Sequence, residues 1–170
     1  GSVTAGSTNV AITTPAIVAD TGATQSFTTT GALVLTPTGG ALPTLASTTL
    51  GGNVSLTGGS ITVANAILAP GGGITLEATS GDVTLAAGAL LAARGSRVTL
   101  FGLNEDVAAG TVKLIADAGN VDIASGSTVD VSAAGLGYAG TVSISAAKGA
   151  ATLGGTLLGS AAYKDLGGTF

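Results

Sequence analysis

The stretch Gly73–Ala92, GITLEATSGDVTLAAGALLA, decides the fold. In Ile74-Thr75-Leu76 and Val83-Thr84-Leu85 the apolar residues stand two apart with a threonine between them. That is the period of a strand with one buried face. Past Gly88, Leu90-Leu91 makes a third apolar step before the chain turns at Arg94-Gly95-Ser96. Three short strands therefore make one circuit.

The circuit recurs on both sides. Upstream it reads Val54-Ser55-Leu56, Ile61-Thr62-Val63, Ile67-Leu68; downstream it reads Val112-Lys113-Leu114, Val121-Asp122-Ile123, Val129-Asp130-Val131. A further copy is Val142-Ser143-Ile144, Ala151-Thr152-Leu153, Leu157-Leu158. Self-similarity at this spacing marks a solenoid.

Composition points the same way. The 170 residues include 29 glycines and 45% hydrophobic residues but only 3% aromatics, so the core is built from Val, Ile, Leu and Ala in a narrow, regular interior. No stretch combines apolar residues at helical spacing with few glycines, and almost no helix is expected. No charged residue occurs between Thr21 and Leu76, yet Gly, Ser, Thr and Pro interrupt every apolar run. A transmembrane helix is thus not predicted. The five aromatics, Phe27, Phe101, Tyr138, Tyr163 and Phe170, form none of the girdles of a membrane barrel, so membrane insertion is not expected. A net charge of -4 with no cluster of Lys or Arg argues against nucleic acid as a partner. The absence of Cys removes disulfide scaffolds and thiolate zinc sites.

Residues 1–50 are less regular and read as early coils or a cap, with short runs at Val10–Ile12, Ile17-Val18, Gln25–Thr28 and Leu33–Leu35. Pro37, Pro43 and Pro70 belong at turns or strand ends because they lack a backbone donor, and Thr36–Thr49 is expected to be an irregular loop. Residues 51–158 carry the regular coils, with an inserted loop at 101–109, and 159–170 form a C-terminal tail. Glycines at Gly51-Gly52, Gly58-Gly59, Gly71–Gly73, Gly81, Gly119, Gly140 and Gly154-Gly155 are expected to supply positive φ at sharp corners.

Parallel strands need a crossover, which a coil supplies without helices. The fold expected is all-β, a parallel β-helix (solenoid) of about seven coils, roughly 35 Å long at ~4.8 Å per coil. Val, Ile and Leu stack inward on their equivalents in the next coil, and the Thr, Ser, Asp and Lys between them face water.

The runs GDVTLAAGALLAA (81–93) and AGNVDIASGSTVDVSAAGLGYAGTVSISA within 110–158 resemble the filamentous haemagglutinin-like large exoproteins of two-partner secretion. The resemblance covers residues 51–158 and reaches 1–50 only in composition. It implies a right-handed β-helical rod, exported by an outer-membrane transporter, secreted or displayed on the bacterial cell surface as an adhesin. The ligand, whether on a host cell, a carbohydrate or another bacterial surface, is not implied. No Asn precedes a Pro, so the Asn-Pro-Asn motifs of that family's secretion domain are missing and the chain reads as an internal passenger segment. Its start, Gly1-Ser2-Val3, has no initiator Met and no signal-peptide features, which fits a piece of a longer chain. Arg94-Gly95-Ser96 falls one residue short of an Arg-Gly-Asp attachment motif.

Glu77 and Asp82, five apart across a turn, read as solvated carboxylates rather than an acid/base pair. Asp122 and Asp130 alternate with valines and an isoleucine and should point outward. With no His or Cys, a metal site would have to be all-oxygen, and neither the calcium nonapeptide G-G-x-G-x-D nor a phosphate loop ending in G-K-[ST] is present. No enzyme activity, cofactor or metal is therefore expected; the competing reading is a carbohydrate-active β-helix enzyme, which would need a charged groove. Asn104-Glu105-Asp106, in the inserted loop, is the densest polar cluster and the candidate contact site. The threonines at Thr13-Thr14, Thr28–Thr30 and Thr48-Thr49 are too isolated for an ice-binding face. After Leu158 only Tyr163, Leu166 and Phe170 are on hand to cover the last coil, so end-to-end self-association is expected.

Overall fold

A computed structural model describes residues 1–39, 41–45, 50–163 and 166–170. The first circuit is β1 (Ser2–Thr4), β2 (Val10–Thr13) and β3 (Ala16–Val18), and the second is β4 (Thr24–Thr28) and β5 (Ala32–Thr36). The third is β6 (Asn53–Gly58), β7 (Ser60–Val63) and β8 (Ala66–Leu68), and the fourth is β9 (Gly73–Ala78), β10 (Val83–Leu85) and β11 (Leu90–Ala92). A hairpin follows, β12 (Ser96–Leu100) and β13 (Leu103–Val107). The fifth circuit is β14 (Thr111–Ala116), β15 (Val121–Ile123) and β16 (Thr128–Asp130); the sixth is β17 (Thr141–Ala146), β18 (Ala151–Leu153) and β19 (Thr156–Leu158). A seventh begins where Thr169 bridges Thr141 in parallel. None of these elements is a helix.

Equivalent strands of successive circuits pair in parallel and build three sheets: β1-β4-β6-β9-β14-β17, β2-β5-β7-β10-β15-β18 and β3-β8-β11-β16-β19. The molecule is a parallel β-helix. Its register stacks like on like: Val54, Ile74, Val112 and Val142 in the first sheet, and Leu33, Ile61, Val83 and Val121 in the second. In the third sheet Ile17, Ile67, Leu91, Val129 and Leu157 form the matching column. From Leu33 to Val129 these columns are fully buried, which supplies the apolar burial that holds short strands together.

The corners work differently from expectation. Of the glycines assigned to them, only Gly51 and Gly71 have positive φ. Gly72, Gly110 and Gly140 are needed for close approach instead: a Cβ on each would run into the carbonyl of Gly52, Gly72 and Gly110 respectively. Those same carbonyls accept the N–H of Gly73, Thr111 and Thr141 at 3.0 to 3.1 Å. The column lets backbone stack directly on backbone where the third sheet hands over to the first.

Irregular segments gather around the third sheet. The second circuit contributes no strand to it among the described residues, and β3 pairs directly with β8. The chain leaves β5 at Pro37 instead, and residues 37–39 and 41–45 are strand-free, as expected; Thr48-Thr49 lies outside the described residues. This excursion roofs the outer face of the third sheet. There Ala66, Leu68 and Ala92 are buried with Ala16, Val18, Leu45 and Leu90 against them, a second apolar cluster separate from the main core. An outward face of Thr, Ser, Asp and Lys therefore holds for the first two sheets but not for this one, where doublets such as Ile67-Leu68 send one side chain to each layer.

Candidate functional site

The insertion expected at 101–109 is a β-hairpin that starts at Ser96. Val98-Thr99-Leu100 does not join a coil but pairs antiparallel with Leu103–Val107, because Phe101-Gly102 closes a two-residue turn. Both turn residues have positive φ, 51° at Phe101 and 80° at Gly102, the signature of a type I′ hairpin turn. Phenylalanine is a poor residue for that conformation, which Asn, Asp and Gly adopt more readily. Phe101 is nonetheless fully exposed, and Leu103 beside it is largely so.

The candidate residues Asn104, Glu105 and Asp106 lie together on β13, but alternation splits them. Asn104 and Asp106 share one face, where the Asn104 Oδ1 lies 2.8 Å from the Thr99 hydroxyl and Asp106 receives the Arg97 guanidinium through Nε at 2.7 Å and Nη2 at 3.0 Å. Glu105 stands opposite Val98 and is exposed. The Leu136 N–H also donates to Asp106 Oδ2 at 2.8 Å, so this carboxylate ties the hairpin to the segment between β16 and β17. The hydrogen bonds from Arg97, with that from Leu136, hold the Asp106 carboxyl down at about 2. Gly135 makes room for the arrangement: its φ is +53°, and a Cβ there would collide with the Arg97 guanidinium and the Asp106 carboxylate. Asp106 is thus a structural anchor, and the free surface is the tip and Glu105. Leu136 and Tyr138, on the tethered segment, are exposed as well.

Asp82 and Asp130 also have structural work. Asp82 Oδ1 accepts the Asn120 backbone N–H at 2.7 Å, and Asn120 Oδ1 accepts the Ala150 N–H at 2.9 Å, a side-chain ladder up one corner. Asp122 is half-buried between Thr84 and Thr152 on the outer face, as its alternation predicts. Asp130 points away from the core yet is only 7% exposed, since Arg94 lies over it at 3.5 Å and the Ser132 N–H donates to it.

A second feature lies under the excursion. Two cavities flank Leu42: one of about 260 Å³ bounded by Pro43, Leu45, Leu68, Ala92 and Arg94, the other of about 370 Å³ bounded by Pro15, Pro37, Ala66 and Leu90 with Asn65. Residue-by-residue reading missed Phe101 and Asn65. The first was legible as an aromatic-Gly pair between apolar residues, the second as the amide in a corner column that elsewhere holds Pro15, Ala89, Ser127 and Gly155. The chain matches no protein-family model, and no match is found among curated proteins or among solved structures.

Proposed function

We propose that this chain is a rod segment of a secreted or surface-displayed bacterial exoprotein of the filamentous haemagglutinin-like kind, an adhesin-like module without catalysis that presents loops from a stiff coil. The repeat at 81–93 and 110–158 supports the family reading. The observation that carries the presenting role is Phe101: a fully exposed aromatic ring at the tip of a hairpin, on a backbone conformation it disfavours. Exposed apolar surface and local strain together are the features of a contact residue. Export would engage an outer-membrane transporter, and the tip would meet a host-cell or bacterial surface.

The test is retention of beads coated with the chain on epithelial monolayers and on bacterial lawns. Phe101→Asn, which suits the type I′ turn, should lower retention about tenfold with unchanged or slightly raised thermal stability. Equal retention of both proteins removes the hairpin from the role, and no retention of the intact chain on any surface removes the adhesin reading.

A further inference from the structure

The cavity of about 260 Å³ beside Leu42 has an apolar floor with a cation at one end. Alternation sets that floor. Leu68 and Pro70 on one circuit and Ala92 and Arg94 on the next face outward, while Ala69 and Ala93 between them lie in the main core. Pairing continues past β8 and β11 to hold it: the Ala69 N–H donates to the Ala92 carbonyl at 2.9 Å and the Gly71 N–H to the Arg94 carbonyl at 2.8 Å. Leu42, Pro43 and Leu45 form the roof. The outward row of the third sheet runs Leu68, Ala92, Asp130 in register, and Arg94 Nε stands 3.5 Å from Asp130 Oδ2. The guanidinium therefore lies over the strand next to Ala92, ~4.8 Å along the sheet, at the end of the cavity.

The pair leaves most of Arg94 open. Its side chain is 57% exposed, and the contact with Asp130 is longer than a charge-assisted hydrogen bond, which measures about 2.7–2.9 Å. None of the guanidinium N–H groups makes a hydrogen bond among the described residues. Asp130, by contrast, is 7% exposed, already accepts the Ser132 N–H and does not line the cavity. We propose that the cavity binds a compact monocarboxylate with an apolar ring, the ring held between floor and roof and the carboxylate on Arg94. A planar carboxylate matches the guanidinium fork. An apolar cavity of roughly 150 Å³ takes benzene, so this one has room for a ring that carries a carboxylate. A doubly charged anion such as a phosphate monoester is disfavoured by Asp130 behind the guanidinium. The site rests on neither the hairpin nor the adhesin reading.

Benzoate is the probe, titrated into the full ¹⁵N-labelled chain and followed by NMR, with benzamide and benzyl alcohol as neutral comparators. Saturable shifts are expected at the Arg94 Nε–H and at the Gly71 and Ala92 backbone amides, with benzoate bound about tenfold more tightly than either comparator. Arg94→Gln, at an exposed side chain, should keep the fold and lose that preference. Asp130→Asn can still accept the Ser132 N–H but removes the rival anion, and should tighten benzoate about threefold while leaving benzamide unchanged. Ala92→Leu, which fills the cavity from its floor, should abolish binding of all three. The proposal is overturned if benzoate gives no saturable shift, if the three compounds bind the parent alike, if Arg94→Gln retains the preference, if Asp130→Asn weakens benzoate, or if Ala92→Leu binds as well as the parent.

Discussion

Side-chain direction at Val121 and Asp122 shows how sharply neighbouring residues differ. Val121 is fully buried in a column between Val83 and Ala151, whereas Asp122 sits in the outer row between two threonines. Val121→Asp should cost several kcal/mol by placing an unpaired charge in the core, and Asp122→Ala about 0.5 kcal/mol or less. Denaturant midpoints measure both, and the reverse order would mean the faces are swapped. Gly110→Ala tests the corner column. The added methyl would meet the Gly72 carbonyl, a backbone group held by the Thr111 N–H, so a loss of about 3 kcal/mol is expected. A variant as stable as the parent would show that the column tolerates a side chain.

At the scale of the element, the hairpin depends on one ionised group. The Asp106 carboxyl is held at about 2, below its ordinary value, by Arg97 and by the Leu136 N–H. A depressed carboxyl adds stability that is present above its ordinary value and is lost as pH falls through the folded value. The tie between the hairpin and the β16–β17 segment should therefore hold at pH 4 and above and loosen as pH drops toward about 2. The Leu136 amide chemical shift should titrate with that midpoint and become flat in Asp106→Asn. A midpoint near the ordinary carboxylate value would show that the ion pair is not formed in solution.

For the whole molecule, the ends differ from the middle. Leu153 is 55% exposed in the sixth circuit, while its equivalent in the same core column two circuits earlier, Leu85, is buried. The tail covers part of this face through the Thr169 bridge and the Gly168 N–H donated to Gly159, with Tyr163 and Phe170 still largely exposed. Strand edges and aliphatic surface left open in this way template further pairing. Sedimentation should show concentration-dependent end-to-end association, stronger after deletion of Gly159–Phe170 and unchanged by Ser143→Lys. A strict monomer at high concentration for both the intact and shortened chains would refute it.

The sequence by itself determined the period-two strands, the three-strand circuit and the identity of the inward columns, because one buried face per strand forces alternation and stacking forces like onto like. It also located the strand-free residues 37–39 and 41–45, within the loop expected at Thr36–Thr49, and the segment holding Asn104, Glu105 and Asp106. Tertiary structure decided the rest. Whether the second residue of a doublet such as Ile67-Leu68 meets water depends on the roof laid over it by residues distant in the chain, and the same holds for the burial of Asp130 under Arg94. Alternation along β13 separated Glu105 from its neighbours, and the contacts of Arg97 and Leu136 turned Asp106 from a free charge into an anchor. The need for glycine at Gly72, Gly110 and Gly140 arises from carbonyls one circuit away, not from local φ. The glycine column and the Arg94–Asp130 pair are contacts between circuits, which no local pattern encodes.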